Sequence, residues 1–160
     1  MGNFEQRLED GGYVLPAPLK VPAGVVLPFP EVNLRGNRAI ISGAGPLQPN
    51  GPLAGPFGQV GRDVTVEQAA HLAELTGLVM IAGLKRSLGE LDRVTGWVRV
   101  FGMVQSAPDF HSQPQVINGF SNLIHDVFGP ETGRHARSAV GLAALPMNIA
   151  VEIEAEVEFV

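Results

Sequence analysis

From Ile149 to Phe159 the chain alternates without a break. Ile149, Val151, Ile153, Ala155, Val157 and Phe159 fall on one side; Glu152, Glu154, Glu156 and Glu158 fall on the other. Successive strand side chains point to opposite faces, so this segment reads as a strand with one buried face and one face in water or in ion pairs. Four carboxylates in a row repel one another unless water or cations lie beside them. Just upstream, Leu145-Pro-Met-Asn148 reads as a turn and His135–Val140 as a β-like run that carries Arg137. The two runs read together as a closing hairpin, in which Arg137 is the nearest cation in sequence to the glutamates.

Spacing leaves the roles of these residues open. An arginine fork binds a carboxylate through two parallel hydrogen bonds, so Arg137 suits either a ligand carboxylate or the glutamate face. A partly buried carboxylate shifts its pKa and can move protons, yet alternation alone does not choose among the four glutamates.

The rest of the chain supplies partners for this strand. Asn3–Asp10 suits a short helix closed by Gly11-Gly12. Pro16–Pro30 is proline-rich and extended, and Leu34-Arg-Gly-Asn37 is a turn between strand-like runs at 25–32 and 38–42. Gly43–Gly61 is a long Gly/Pro loop of the kind that carries function or packs at an interface. Thr65 and Gln68 have capping-box spacing and open a helix whose apolar stripe ends before Gly89. Val94–Gln105 reads as a long strand, with Trp97, Arg99, Phe101 and Met103 on one face and Val98, Val100, Gly102 and Val104 on the other. A second helix spans about Pro114–Phe128 and stops at Gly129-Pro130. The order β-β-α-β-α-β-β implies an α+β domain, 1–160, with both helices on one face of a mixed or antiparallel sheet. The other face, with Trp97, Phe101 and Met103, then calls for a cover, and self-association supplies one.

Composition narrows the function. The 160 residues carry a net charge of −5 and no cysteine, which removes disulfides, thiolate metal sites and a cysteine nucleophile. The acidic balance argues against a broad phosphate-binding surface. The N-terminus lacks an apolar stretch of signal-peptide length, and a cytoplasmic location is expected. The four histidines show no metal-ligand spacing. The prolines of Gly51–Gly61 remove the N–H donors that a phosphate cradle requires. Ser42-Gly43, at a strand end, reads either as a plain turn or as a hydroxyl and a free backbone N–H offered to a ligand.

Taken in order, Ile41-Ser-Gly43, Asn118, Ala136-Arg-Ser138, Leu145-Pro146 and Val151-Glu-Ile-Glu-Ala155 resemble the YjgF/RidA family of imine/enamine deaminases, some of which are labelled "endoribonuclease L-PSP". The resemblance spans about Val32 to Val160, with residues 1–22 as an N-terminal extension, and points to a less characterised branch. It implies a chorismate-mutase-like fold and a homotrimer with clefts between subunits. It implies that Arg137 grips the carboxylate of a 2-imino or 2-enamino acid, that Glu152 positions or activates water, and that Ser42, Gly43 and Asn118 line the cleft. It implies neither metal nor organic cofactor, because an imine is already electrophilic. Two positions depart from the family pattern. The tyrosine of its N-terminal Gly-Pro-Tyr-Ser-Gln-like segment has no counterpart in Leu27-Pro-Phe-Pro30, and Ala139 stands where a cysteine is common.

Three functions follow from the resemblance. One is hydrolytic deamination of small 2-imino acids to 2-keto acids and ammonia. The second is a non-catalytic trimer that binds small carboxylates or regulates a partner. RNA cleavage ranks last, because the chain is acidic and shows no basic-aromatic surface.

Overall fold

The computed structural model describes residues 2–160. Its main elements are α1 (Asn3–Asp10), β1 (Val32–Arg35), β2 (Arg38–Ala44), α2 (Val66–Leu88), β3 (Val94–Gln105), α3 (Gln113–Thr132), β4 (Ala136–Leu142) and β5 (Val151–Phe159). The strands form one mixed sheet in the order β1-β2-β5-β3-β4. The β3–β4 pair is parallel and the other neighbours are antiparallel.

This order explains why both helices share a face. Strands β2 and β3 each oppose β5, so they run parallel to one another, and α2 links them across β5. Helix α3 links β3 to the parallel β4. Both connections step the same way along the sheet, and right-handed crossovers that step the same way deposit their helices on the same side. Accordingly α2 packs over β2 and β5, and α3 over β3 and β4.

The local signals act as the sequence implies. The Thr65 hydroxyl accepts from the Gln68 N–H (3.2 Å), and the Gln68 side chain accepts from the Thr65 N–H (3.0 Å). Gly89 closes α2 with φ at +86°, a conformation that favours glycine. The apolar face of β5 is buried from Val151 to Phe159. Helices α2 and α3 meet through small residues: a Cβ at Gly119 would overlap the Ala70 carbonyl, and one at Gly77 would come 2.7 Å from Leu123. Among the described residues no helix is long and apolar enough to cross a membrane.

Several expectations are corrected. The segments carrying Arg137 and Glu152 do not form a hairpin, because β3 lies between β4 and β5 and pairs with both. The first strand is Val32–Arg35 rather than 25–32, and Gly36-Asn37 alone makes the turn. Pro28 and Pro30 lack the N–H a ladder needs, so the sheet begins after them. Gly36, at φ +59°, suits the first position of a tight hairpin turn. Helix α3 does stop after Phe128 as Gly129-Pro130 implies: Gly129 is non-helical (φ +77°, ψ 176°), and a separate short helical turn follows it to Thr132.

Trp97 is also on the other face. The register of β3 against β5 shifts between Trp97 and Arg99, so two β3 steps match one on β5. That turns Trp97 toward the helices, where it meets the rings of Phe120 and Phe128 edge-on, each at 5.6 Å between centroids. The open face keeps Ile40, Arg99, Phe101 and Met103 around the glutamates of β5. Arg38 on β2 supplies their cation: it pairs with Glu156 and lies 3.8 Å from Glu158.

The close helix contact is testable. Gly119→Ala is expected to destabilise the protein by about 1–3 kcal/mol. The readout is a lower denaturation midpoint at unchanged slope; an unmoved midpoint contradicts the contact.

Candidate functional site

Arg137 pairs with Val100 across the β3–β4 ladder, so it faces the helices with that buried valine. Pro114, Asn118 and Ser121 recur at helical spacing and present one face of α3 to it. The guanidinium donates through Nη2 to Asn118 Oδ1 (2.6 Å) and to the Pro114 carbonyl (3.3 Å), and through Nη1 to Ser121 Oγ (3.0 Å). These bonds use three of its five N–H donors and leave two for a ligand. Partial burial lowers its pKa from the ordinary arginine value. Ala139, two residues on, shares this face and packs partly buried against the core.

Behind Arg137 stands His135. Its Nδ1 lies 2.7 Å from the Gly133 carbonyl, which only accepts, so Nδ1 carries the proton. Its Nε2, 2.9 Å from Ser121 Oγ, then accepts the serine hydroxyl, whose oxygen accepts from Arg137. His125 stacks on the His135 ring at 5.8 Å. Burial pushes the His135 pKa below the usual histidine value; the Gly133 bond opposes this, and His125 and Arg137 add to it. The chain of bonds fixes a neutral imidazole and orients the arginine fork.

Glu152 lies elsewhere. It faces the open side of β5, opposite Met103. The β2–β5 register shifts between Ile41 and Ala44, and at that irregularity Gly43 lies against the Glu152 carboxyl; a Cβ there would overlap Oε1. Burial, and then the neighbouring Glu154, raise the Glu152 pKa above the usual carboxylate value. Ser42 is beside it but differs from expectation. Its N–H is not free, because it donates to the Glu31 carbonyl (3.0 Å), and its hydroxyl donates to Pro30 O (2.8 Å). Both bonds tie down the proline-rich segment, and the hydroxyl oxygen keeps its acceptor capacity.

Ser42, Gly43 and Glu152 border a cavity of about 370 Å³ that is otherwise mainly apolar, with Leu27, Phe29 and Met147 in its wall. Met147 and Asn148 both adopt φ +57°, in the left-handed region that non-glycine residues rarely occupy. Buried Gln105 holds them there: its Nε2 donates to Asn148 Oδ1 (2.7 Å) and its Oε1 accepts the Leu145 N–H (2.6 Å). A second cavity, of about 380 Å³ on the open sheet face, shares Ser42 and Gly43 and includes Arg99, Phe101 and Glu154.

The predicted site residues therefore separate into two groups. Arg137, Asn118 and Ala139 sit on the helix side at the β4 edge. Glu152, Ser42 and Gly43 sit together by β2 and β5. Two strand spacings, roughly 9–10 Å, and opposite sheet faces divide Arg137 from Glu152. Among the described residues no three His, Cys, Asp or Glu side chains are arranged to hold a metal ion.

The fold and these two groups define an α+β protein whose candidate site residues sit at a sheet edge and a ladder irregularity. The chain belongs to the family described as "YjgF/chorismate_mutase-like, putative endoribonuclease", whose profile matches residues 7–157. It is 40% identical to the crystal structure of Atu1372 from Agrobacterium tumefaciens, a protein of unknown function, with a TM-score of 0.84 over 98% of this chain and 92% of that one. A protein from Shewanella oneidensis called a putative endoribonuclease is 29% identical, with a TM-score of 0.86 over 99% of this chain and all of that one. Protein TCP17 of Trypanosoma cruzi is 46% identical over 101 residues, which are 63% of this chain. The match spans 63% of the length of TCP17.

Sequence reading missed Ser121, His135, Phe29 and Met147 as parts of these sites. Ser121 follows Asn118 at i+3, so helical spacing alone places it beside the arginine. His135 lies two residues before Arg137, so strand alternation places it on the arginine's face. Phe29 and Met147 depend on how the segments before β1 and β5 fold back, which leaves no periodic trace.

The state of His135 gives a pH dependence. Because its folded pKa is depressed, its contribution to stability is present above the unfolded value of about 6.5 and is lost as pH falls through the folded value. His135→Gln is therefore expected to lose less stability than the wild type as pH falls from about 7 to about 5. Parallel pH–stability curves contradict the neutral assignment.

Proposed function

We propose that the protein is a hydrolytic deaminase of small 2-imino and 2-enamino acids, acting as a cytoplasmic homotrimer. The reading rests on family membership and on one observation above the rest: an arginine fork fixed by Asn118, Ser121 and Pro114, with two N–H donors still unused. That fork suits a carboxylate, which both acid classes carry. The Glu152 carboxyl, whose pKa burial raises, is a stronger base than an ordinary carboxylate and suits accepting a proton from water.

In the proposed reaction, Arg137 holds the substrate carboxylate. Water adds its oxygen to C2 of the C=N bond, and Glu152 accepts the proton that the water sheds. The same proton then passes to the nitrogen, giving a carbinolamine. Its hydroxyl proton is next moved to that nitrogen, and the C–N bond breaks as the C=O bond forms, leaving a 2-keto acid and ammonia. Substrate nitrogen and water oxygen exchange places, and no electrons are transferred to or from the substrate. Since Arg137 and Glu152 lie on opposite sheet faces of one chain, the reading requires each site to combine Arg137 of one copy with Glu152 of the next. A cyclic trimer provides three such junctions, and the partly apolar open face gives copies a surface to share.

A second reading, a non-catalytic carboxylate-binding or regulatory trimer, draws on Phe29. That ring borders the cavity and carries no hydroxyl to take part in chemistry. The family's endoribonuclease label receives least support here, since the sheet presents a glutamate stripe and the chain carries a net charge of −5.

The test is ammonia release from imines generated in situ by an amino-acid oxidase. The wild type is expected to exceed the spontaneous rate. Arg137→Ala is expected to reduce the enzymatic rate by about 100-fold or more, and Glu152→Gln to lower turnover while 2-keto-acid binding persists. Binding without acceleration by the wild type supports the second reading instead.

A further inference from the structure

We infer that the apolar cavity beside Glu152 receives the substrate's side chain, so that this protein prefers 2-imino acids bearing a branched or aromatic apolar group over those bearing a methyl or methylene alone. The inference rests on the deaminase reading and specifies its substrate.

Charge decides which end of a substrate enters. The charged residues in the cavity lining are Glu31 and Glu152. Glu31 is already held by Arg86 through two hydrogen bonds, 2.6 and 2.9 Å long. The lining thus offers a carboxylate no cation and one unpaired acidic group, so a carboxylate in this space would lose its hydration without gaining a partner. The apolar end of the substrate enters instead. Its nitrogen-bearing carbon rests near Glu152, and its carboxylate points out to an arginine supplied by another copy.

The walls suit that end. Leu27 and Phe29 come from the proline-rich segment, Leu53 from the long loop, Val79 from α2, and Met147 and Ile149 from the turn before β5. Phe29 is 52% exposed and Met147 61% exposed, although both border this cavity. A bound side chain would cover both, and large apolar groups at a cavity mouth gain most from such cover. The segment that carries Phe29 is fixed by the Ser42 bonds to Pro30 and Glu31. The turn that carries Met147 is fixed by Gln105. The cavity of about 370 Å³ lies near the small end of ligand pockets and leaves room well beyond a methyl group.

The test is calorimetric titration of the full-length protein with pyruvate, 2-oxobutanoate, 4-methyl-2-oxopentanoate and phenylpyruvate, as stable product analogues. At roughly fourfold per buried methylene, affinity is expected to rise at least about tenfold from pyruvate to 4-methyl-2-oxopentanoate. Phe29→Ser and Met147→Asn, the latter keeping a residue that tolerates the left-handed turn, are each expected to shrink that ratio to about threefold or less. Three results would overturn the inference. A flat series whose binding is abolished by Arg137→Ala refutes the side-chain pocket and leaves the deaminase reading standing. A preserved ratio in both variants refutes the assigned walls. Failure of every keto acid to bind removes the inference together with the reading beneath it.

Discussion

The position of β3 between β5 and β4 governs everything else in this molecule. A hairpin would have set Arg137 beside the glutamate face and neutralised it there. Instead β4 returns from α3 to pair parallel on the outer side of β3, and the arginine faces the helices with Val100. The glutamate stripe takes its cation from Arg38 on β2. Arg137 is thereby kept from the carboxylates of its own chain, and its bonds run to neutral oxygens of Pro114, Asn118 and Ser121 on α3. An arginine held by neutral acceptors keeps its charge available for an anion.

The other half of the site depends on broken regularity. Where the β2–β5 ladder shifts, Gly43 makes room for the Glu152 carboxyl, and burial there raises its pKa. Buried Gln105 spends both ends of its amide on a turn whose two central residues are left-handed. Such backbone persists only where its surroundings over-determine it, and here it holds Met147 at the cavity edge. Irregularities of ladder and turn, rather than the regular sheet, shape this pocket.

Much of the fold was legible from periodicity. The alternation of Val151–Phe159, the Thr65/Gln68 capping box and the Gly89 stop each encode one local outcome, and each appears in the structure. Order along the sheet was not legible, because alternation fixes which face a residue takes but not which strand lies beside it. The β3 bulge hid Trp97 for a related reason: one extra residue reverses a face without altering composition. The site was legible in its family motifs alone. Those motifs single out Arg137, Asn118, Ser42, Gly43 and Glu152, yet their division between two faces was invisible, and neither Leu27-Pro-Phe-Pro30 nor Leu145-Pro-Met-Asn148 showed that Phe29 and Met147 would wall one cavity.

The central claim is that a complete site joins Arg137 of one copy to Glu152 of another. Co-expression of differently tagged Arg137→Ala and Glu152→Gln chains, with purification of the mixed oligomers, tests it most directly. If neighbours share each site, every mixed cyclic trimer restores both residues at one of its three junctions, and ammonia release should recover to about a third of the wild-type rate. Mixed oligomers no more active than either variant alone would contradict the claim.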